Sequence, residues 1–195
     1  MNTLFPLDPG YPEGFQYIPG FISVEEEKEL LDAVANVDLH VFNFQGYEAK
    51  RKVASFGYDY SFDKKALTKG KEIPVVFQPL LQKLSKQIGI PIEEMAELLV
   101  TEYPVGSVIN WHRDAPPFDL IAGISLNADC KFKLRPHDKE KQGRGSIITI
   151  PVKRRSLYVM QGSSRSEYHH SIAPVKATRY SITIRTLKGV EPRSH

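Results

Sequence analysis

Arg179-Tyr180-Ser181-Ile182-Thr183-Ile184-Arg185 alternates strictly between polar and apolar positions. A period of two belongs to a β-strand, with Tyr180, Ile182 and Ile184 on one face and Arg179, Ser181, Thr183 and Arg185 on the other. Two arginines and two hydroxyls on one side suit a pocket for a dianionic small molecule, because guanidinium groups grip carboxylates through paired, charge-assisted hydrogen bonds. A solvent-facing edge is the bland alternative. At ~3.3 Å per residue the two arginines start roughly 20 Å apart, so both reach one small ligand only by leaning inward along the strand.

Working outward, the segments 98–103, 108–112, 120–127, 131–135, 146–152 and 156–161 also read as short strands separated by turns. Many short strands of this kind give a mainly β fold, a sandwich or barrel with helices on its outside. Before them come a short strand at Phe15–Ile18 and a helix over about 24–36, which Ser23 and Glu26 open as a capping box and Glu25, Glu26 and Glu27 favour electrostatically. Residues 41–44 and 51–60 read as strands joined by a turn near Gly46. In the second of these, Ala54, Phe56, Tyr58 and Tyr60 share one face and make it aromatic. Lys64, Lys65, Lys69 and Lys71 follow in a basic loop. A packing helix then places Phe77, Leu80, Leu81, Leu84 and Ile88 on one side, with Gly89 as its stop. Residues 1–14 and the tail from Lys188 read as irregular.

The chain has 195 residues, 41% hydrophobic and 25% charged, the composition of one globular domain able to bury a core. No apolar run is long enough to span a bilayer and the first residues lack a signal-peptide pattern, so no membrane partner and a cytoplasmic location are expected. Cys130 is the single cysteine, which rules out an intramolecular disulfide and a zinc ribbon; any metal must use His and carboxylate ligands. A net charge of +3 neither requires nor opposes a nucleic-acid partner.

The metal candidates begin at Asn110-Trp111-His112-Arg113-Asp114. At the end of a strand, His112 and Asp114 leave the backbone on the same side and can share a metal. One further His completes a set of two His and one carboxylate, the geometry that leaves positions open on non-haem Fe(II). Tyr168-His169-His170-Ser171-Ile172 offers it, and since adjacent side chains of an extended segment face opposite ways, only one of the two histidines can join. Periodicity does not say which.

Taken together, His112-x-Asp114, a His about 56 residues later, and Arg179 followed by Arg185 resemble the AlkB family of Fe(II)- and 2-oxoglutarate-dependent dioxygenases. Thr101-Glu102-Tyr103-Pro104-Val105-Gly106 is similar to the strand and turn ahead of that family's His-x-Asp motif, and Gly123-Ile124-Ser125-Leu126 to the strand after it. Arg165-Ser166-Glu167-Tyr168-His169-His170-Ser171-Ile172 resembles the family segment carrying the last ligand, and selects His170. The resemblance implies a double-stranded β-helix, or jelly roll, over residues 97–187. N-terminal support comes from 1–50 and a substrate lid from 51–71. It implies Fe(II) on His112, Asp114 and His170, and 2-oxoglutarate held by Thr101, Tyr103, Arg179 and Ser181, with Arg185 nearer its chelating carboxylate. It further implies oxidative demethylation of alkylated DNA or RNA, with release of formaldehyde, succinate and CO2, by a monomer.

Thr101 and Ser181 stand where some members carry Asn, and Ala115-Pro116-Pro117-Phe118 replaces the acidic residues that the DNA-repair members have after the metal motif. These departures leave the iron site intact and leave the substrate open. For the lid, Arg51, Phe56, Tyr58 and Tyr60, with Arg165, are the candidate substrate contacts, since aromatic faces stack bases and cations meet phosphates. The same residues also suit a buried hairpin. The alternatives are a protein or small-molecule hydroxylase on the same fold, a non-catalytic binder of modified nucleic acid, and a zinc hydrolase, which gives the arginine strand no role.

Overall fold

The computed structural model describes residues 10–44 and 47–189. In chain order its elements are β1 (Phe15–Ile18), α1 (Val24–Ala35), β2 (His40–Phe44), β3 (Tyr47–Ser61), β4 (Ala66–Lys69), α2 (Gln78–Ile88), β5 (Met95–Tyr103) and β6 (Ile109–His112). They continue with β7 (Phe118–Leu126), β8 (Cys130–Pro136), β9 (Ile148–Val152), β10 (Leu157–Met160), α3 (Gly162–Ser166), β11 (Tyr168–Ile172) and β12 (Arg179–Leu187). A large antiparallel sheet runs β1-β10-β7-β12-β5-β3-β2, with β4 paired to β3; a small one runs β6-β11-β8-β9. The expected jelly roll is present. The turn expected near Gly46 lies outside the described residues. Among those residues, no helix is long and apolar enough to cross a membrane.

Alternation along β12 and β5 divides the interior. Ile182, Ile184, Leu98 and Val100 face the helices and pack with Leu30, Val34, Leu81 and Leu84. The opposite face of the same strands, with Tyr103, meets Phe132, Leu134 and Ile150 of the small sheet. The large sheet therefore closes an apolar layer on its helix side and leaves its polar positions for the space between the sheets. The helices form as expected. Ser23 and Glu26 exchange side-chain and backbone bonds of 3.0 and 2.7 Å at the start of α1, and Gly89, at φ 70°, ends α2 in the left-handed region. Glu27 does more than favour the helix dipole: it is buried and binds the Asn127 amide at 2.8 Å and Arg154 at 2.7 Å, tying α1 to the sheet turns.

Two expectations about the lid are corrected. The basic loop after residue 60 is a hairpin, in which β4 pairs back on β3 with Tyr60 opposite Leu67. The aromatic residues of β3 do not share a face either, because Gly57 takes φ +82° and breaks the alternation. Phe56 packs on the helix-side cluster while Tyr60 joins the inter-sheet one. Tyr58 borders a concavity beside Lys69, Glu72 and Gln78, on the flank that carries α2.

A Cβ at Gly57 would drive into the backbone carbonyl of Ala96. Gly57→Ala is expected to lower stability by about 2 kcal/mol or more in denaturant unfolding. Gly143→Ala, where the space is open and φ is ordinary, is expected to stay within about 0.5 kcal/mol of the parent.

Candidate metal and cosubstrate site

β6 and β11 bring the two candidate histidines together. His112 pairs with His170 across the two strands, yet Ile109 pairs with Ile172, so Asn110 and Trp111 of β6 stand against the single Ser171 of β11. This bulge reverses the local alternation and turns both Ile109 and His112 inward, re-aiming a side chain as bulges commonly do beside active sites. Asp114 lies two residues beyond the end of β6, so strand geometry does not set its carboxylate. Its neighbours do.

One atom from each of His112, Asp114 and His170 falls within 4.8 Å of the others. Asp114 Oδ1 lies 3.2 Å from His170 Nε2 and 3.8 Å from His112 Nε2. Its other oxygen, Oδ2, accepts from Arg185 Nε at 2.5 Å. The carboxylate is thereby pinned by one oxygen and offers the other to the histidines. His112 Nδ1 meets the carbonyl of Asn110 at 2.8 Å, which orients Nε2 toward the shared centre. Phe132 stacks on the His170 ring at 5.4 Å. His169 faces the other way, with its Nε2 2.9 Å from Nδ1 of His137, so it is His170 that joins the set.

Burial dominates the electrostatics. Desolvation, with His170 close by, pulls His112 down to about 4 against the pull of Asp114, so the ring is neutral at pH 7 and can donate a lone pair. Burial alone would raise Asp114, but Arg185, then His170 and His112, overcome it and hold the carboxyl well below the usual range. Glu97, which no sequence motif singles out, accepts from Arg185 Nη1 at 2.5 Å and from Ser55 Oγ at 3.0 Å. Arg185 therefore spans two buried carboxylates, and those two nitrogens are committed to the protein rather than to a cosubstrate.

Arg179 is the free hand of the pair. It is 1% exposed, its Nε donates to Ser125 Oγ at 2.8 Å, and its guanidinium sits 4.9 Å from the centre of the Tyr103 ring. Its Nη1 is buried without a partner among the described residues. Such an orphaned donor costs on the order of 1–3 kcal/mol unless a ligand satisfies it. Thr101 and Ser181 pair across β5 and β12 beside Arg179 and Tyr103, all on the same face. Donor set and orphaned guanidinium together fit Fe(II) and a dicarboxylate.

Among the candidate substrate contacts, Arg51 lies near this centre. Its guanidinium stacks on Phe42 at 4.3 Å, and its charge contributes to lowering His112. Arg165 is corrected outright: it is 5% exposed, and its Nη2 donates to the carbonyls of Ala115 and Phe118 at 2.9 and 2.8 Å, bracing the loop behind Asp114 instead of meeting substrate. Ser125, Ser55 and Tyr158 complete the surroundings. Tyr158 lies over Gly123, where any Cβ would strike its ring. The one sequence signal for it is a glycine inside a strand, which marks a close approach.

This geometry defines an iron-dependent oxygenase centre, and the chain belongs to the 2OG-Fe(II) oxygenase superfamily, whose family model matches residues 14–185. The resemblance to the AlkB family is borne out by its relatives. The chain is 31% identical over 172 residues to ALKBH8 of Mus musculus, named a tRNA (carboxymethyluridine(34)-5-O)-methyltransferase, covering 85% of this chain and 25% of that protein. It is 29% identical over 135 residues to RNA demethylase ALKBH5 of Bos taurus, covering 63% of this chain and 33% of the relative. The chain thus spans about a quarter to a third of the length of these two relatives. The solved structure of OsALKBH1 superposes with a TM-score of 0.65 at 14% identity, over 93% of this chain and 100% of the other. A Pseudomonas putida prolyl-4-hydroxylase gives 0.61 at 13%, over 90% and 93%. Fe(II) and 2-oxoglutarate are accordingly the cofactor and cosubstrate.

His170→Ala is expected to abolish Fe(II) binding measured by titration, while His169→Ala keeps a full equivalent of metal. Arg179→Ala is expected to raise the 2-oxoglutarate concentration for half-maximal succinate release by about 10- to 100-fold, the effect of removing one charged hydrogen-bonding partner.

Proposed function

We propose that the protein oxidatively demethylates alkylated nucleic acid. The observation that carries the oxygenase half is the buried set of His112, Asp114 and His170, facing a guanidinium at Arg179 that still has a donor to give. The substrate half is supported by the relatives, one named an RNA demethylase and another, from Arabidopsis thaliana, an alkylated DNA repair protein homologue.

Each residue has a task. Arg179, aided by Tyr103, Thr101 and Ser181, fixes the far carboxylate of 2-oxoglutarate and so aims its other end at the three ligands. Arg185 and Glu97 hold Asp114 in the orientation that offers Oδ1. The side chain of His112 is 38% exposed, which makes its side of the centre the approach for substrate. Arg51 stands there as a cation for a phosphate. When bound, Fe(II) with 2-oxoglutarate and oxygen supplies oxidation of a C–H bond, and an N-methyl group so oxidised leaves as formaldehyde.

Incubation with a panel of N-methylated single- and double-stranded oligonucleotides, Fe(II), ascorbate and 2-oxoglutarate is expected to release formaldehyde and succinate in equal amounts. Mass spectrometry of the recovered nucleosides separates this from the second reading, suggested by the tRNA-modifying relative, in which a hydroxylated base is retained. Turnover on peptides alone would refute both.

A further inference from the structure

The small sheet has a second face that the oxygenase chemistry leaves unused. Phe132, Leu134 and His170 point inward to the site and core. The residues between them point out: Lys131, Lys133 and Arg135 on β8, and His169 on β11, opposite Arg135 in register. Trp111 of β6 lies on the same face, since the Arg135 guanidinium stacks on its ring at 4.5 Å. On β9 the outward positions are Thr149 and Pro151, paired with Lys133 and Lys131, so none of these outward strand positions carries a carboxylate. Among the described residues no ion pair engages Lys131, Lys133 or Arg135, and Arg135 Nε is buried without a partner. Like charges set about 6.6 Å apart along one strand repel each other, and no carboxylate among the described residues pairs with them to relieve it.

We propose that this outward face is a docking surface for the phosphate backbone of single-stranded nucleic acid. The proposal rests on the nucleic-acid reading above and adds where the polyanion lies. Evenly spaced cations beside one aromatic ring are the parts that follow a strand without reading its sequence. The face is also continuous with the site. β6 is the edge strand of the small sheet, and it carries Trp111 outward and the half-exposed His112 inward. A strand that rounds this edge passes from the basic face to the metal side, so phosphates flanking a target nucleotide lie on β8 while the nucleotide itself enters.

The test is fluorescence anisotropy with a 5′-labelled, unmodified 20-nucleotide oligouridylate and the full chain, over a range of salt. Lys131→Gln, Lys133→Gln and Arg135→Gln together are expected to raise Kd at least about ten-fold at low salt and to flatten the slope of log Kd against log salt by about 2, at roughly 0.7 for each phosphate no longer neutralised. Because Arg135 is half-buried, the Lys131→Gln, Lys133→Gln pair is tested as well, with an expected flattening of about 1.4. Melting temperature and 2-oxoglutarate affinity are expected to stay at the parent values in that pair. Unchanged Kd and slope in both variants would overturn the docking surface while leaving the demethylase reading standing. A weakening confined to a polyglutamate probe would overturn it too, because the face would then be a site for an acidic protein. If the parent chain binds no oligonucleotide at all, the substrate reading and this surface fall together.

Discussion

A single guanidinium holds the site in order. Arg185 donates to Asp114 and to Glu97, both buried, and each of these ion pairs measures 2.5 Å. A carboxylate removed from water costs several kcal/mol unless it is paired and hydrogen-bonded, so Asp114 can remain ionised inside the fold only with this partner in place. The pairing also decides geometry, since the oxygen that Arg185 takes is the one not available to the histidines. Glu97, steadied by Ser55, fixes Arg185 in turn. The Asp114 carboxylate is therefore positioned from β12, β5 and β3, three strands of the large sheet, although its residue lies next to the small one.

The charges of the pocket point the same way. Asp114 and Glu97 stand against Arg179 and Arg185, two buried carboxyl groups against two guanidiniums. Fe(II) adds two positive charges and a dicarboxylate removes them. The Arg179 donor that the protein's own acceptors leave unpaired is the group a dicarboxylate would satisfy. Arg165 has the complementary duty of bracing the Ala115-Pro116-Pro117 loop through backbone carbonyls, so the stiffness of that loop comes from tertiary contacts as well as from its prolines.

Much of this was legible in the chain. The capping box at Ser23 and the stripe of Leu80, Leu81 and Leu84 announced the helices, and the alternation from Arg179 to Arg185 announced the strand that lines the pocket. The motif order favoured His170 over His169, and the fold sets the two rings on opposite faces of β11. Where local pattern misled, an irregular backbone or an unmarked burial intervened. Gly57 splits the aromatic row of β3, and Arg165 looked like a substrate contact because a basic residue in a motif carries no mark of its burial.

Sequence alone determined most of the element types, the arginine strand and the candidate residues for a metal, because periodicity and ligand chemistry are properties of local residues, while the choice of His170 came from the motif resemblance. Tertiary structure alone decided that a bulge in β6 aims His112, that Arg185 serves Asp114 and Glu97 while one Arg179 donor is left unpaired, and that the cations of β8 gather on one face. Those outcomes depend on register and on which strands lie side by side, and pairing across distant segments leaves no trace in the order of residues within any one of them.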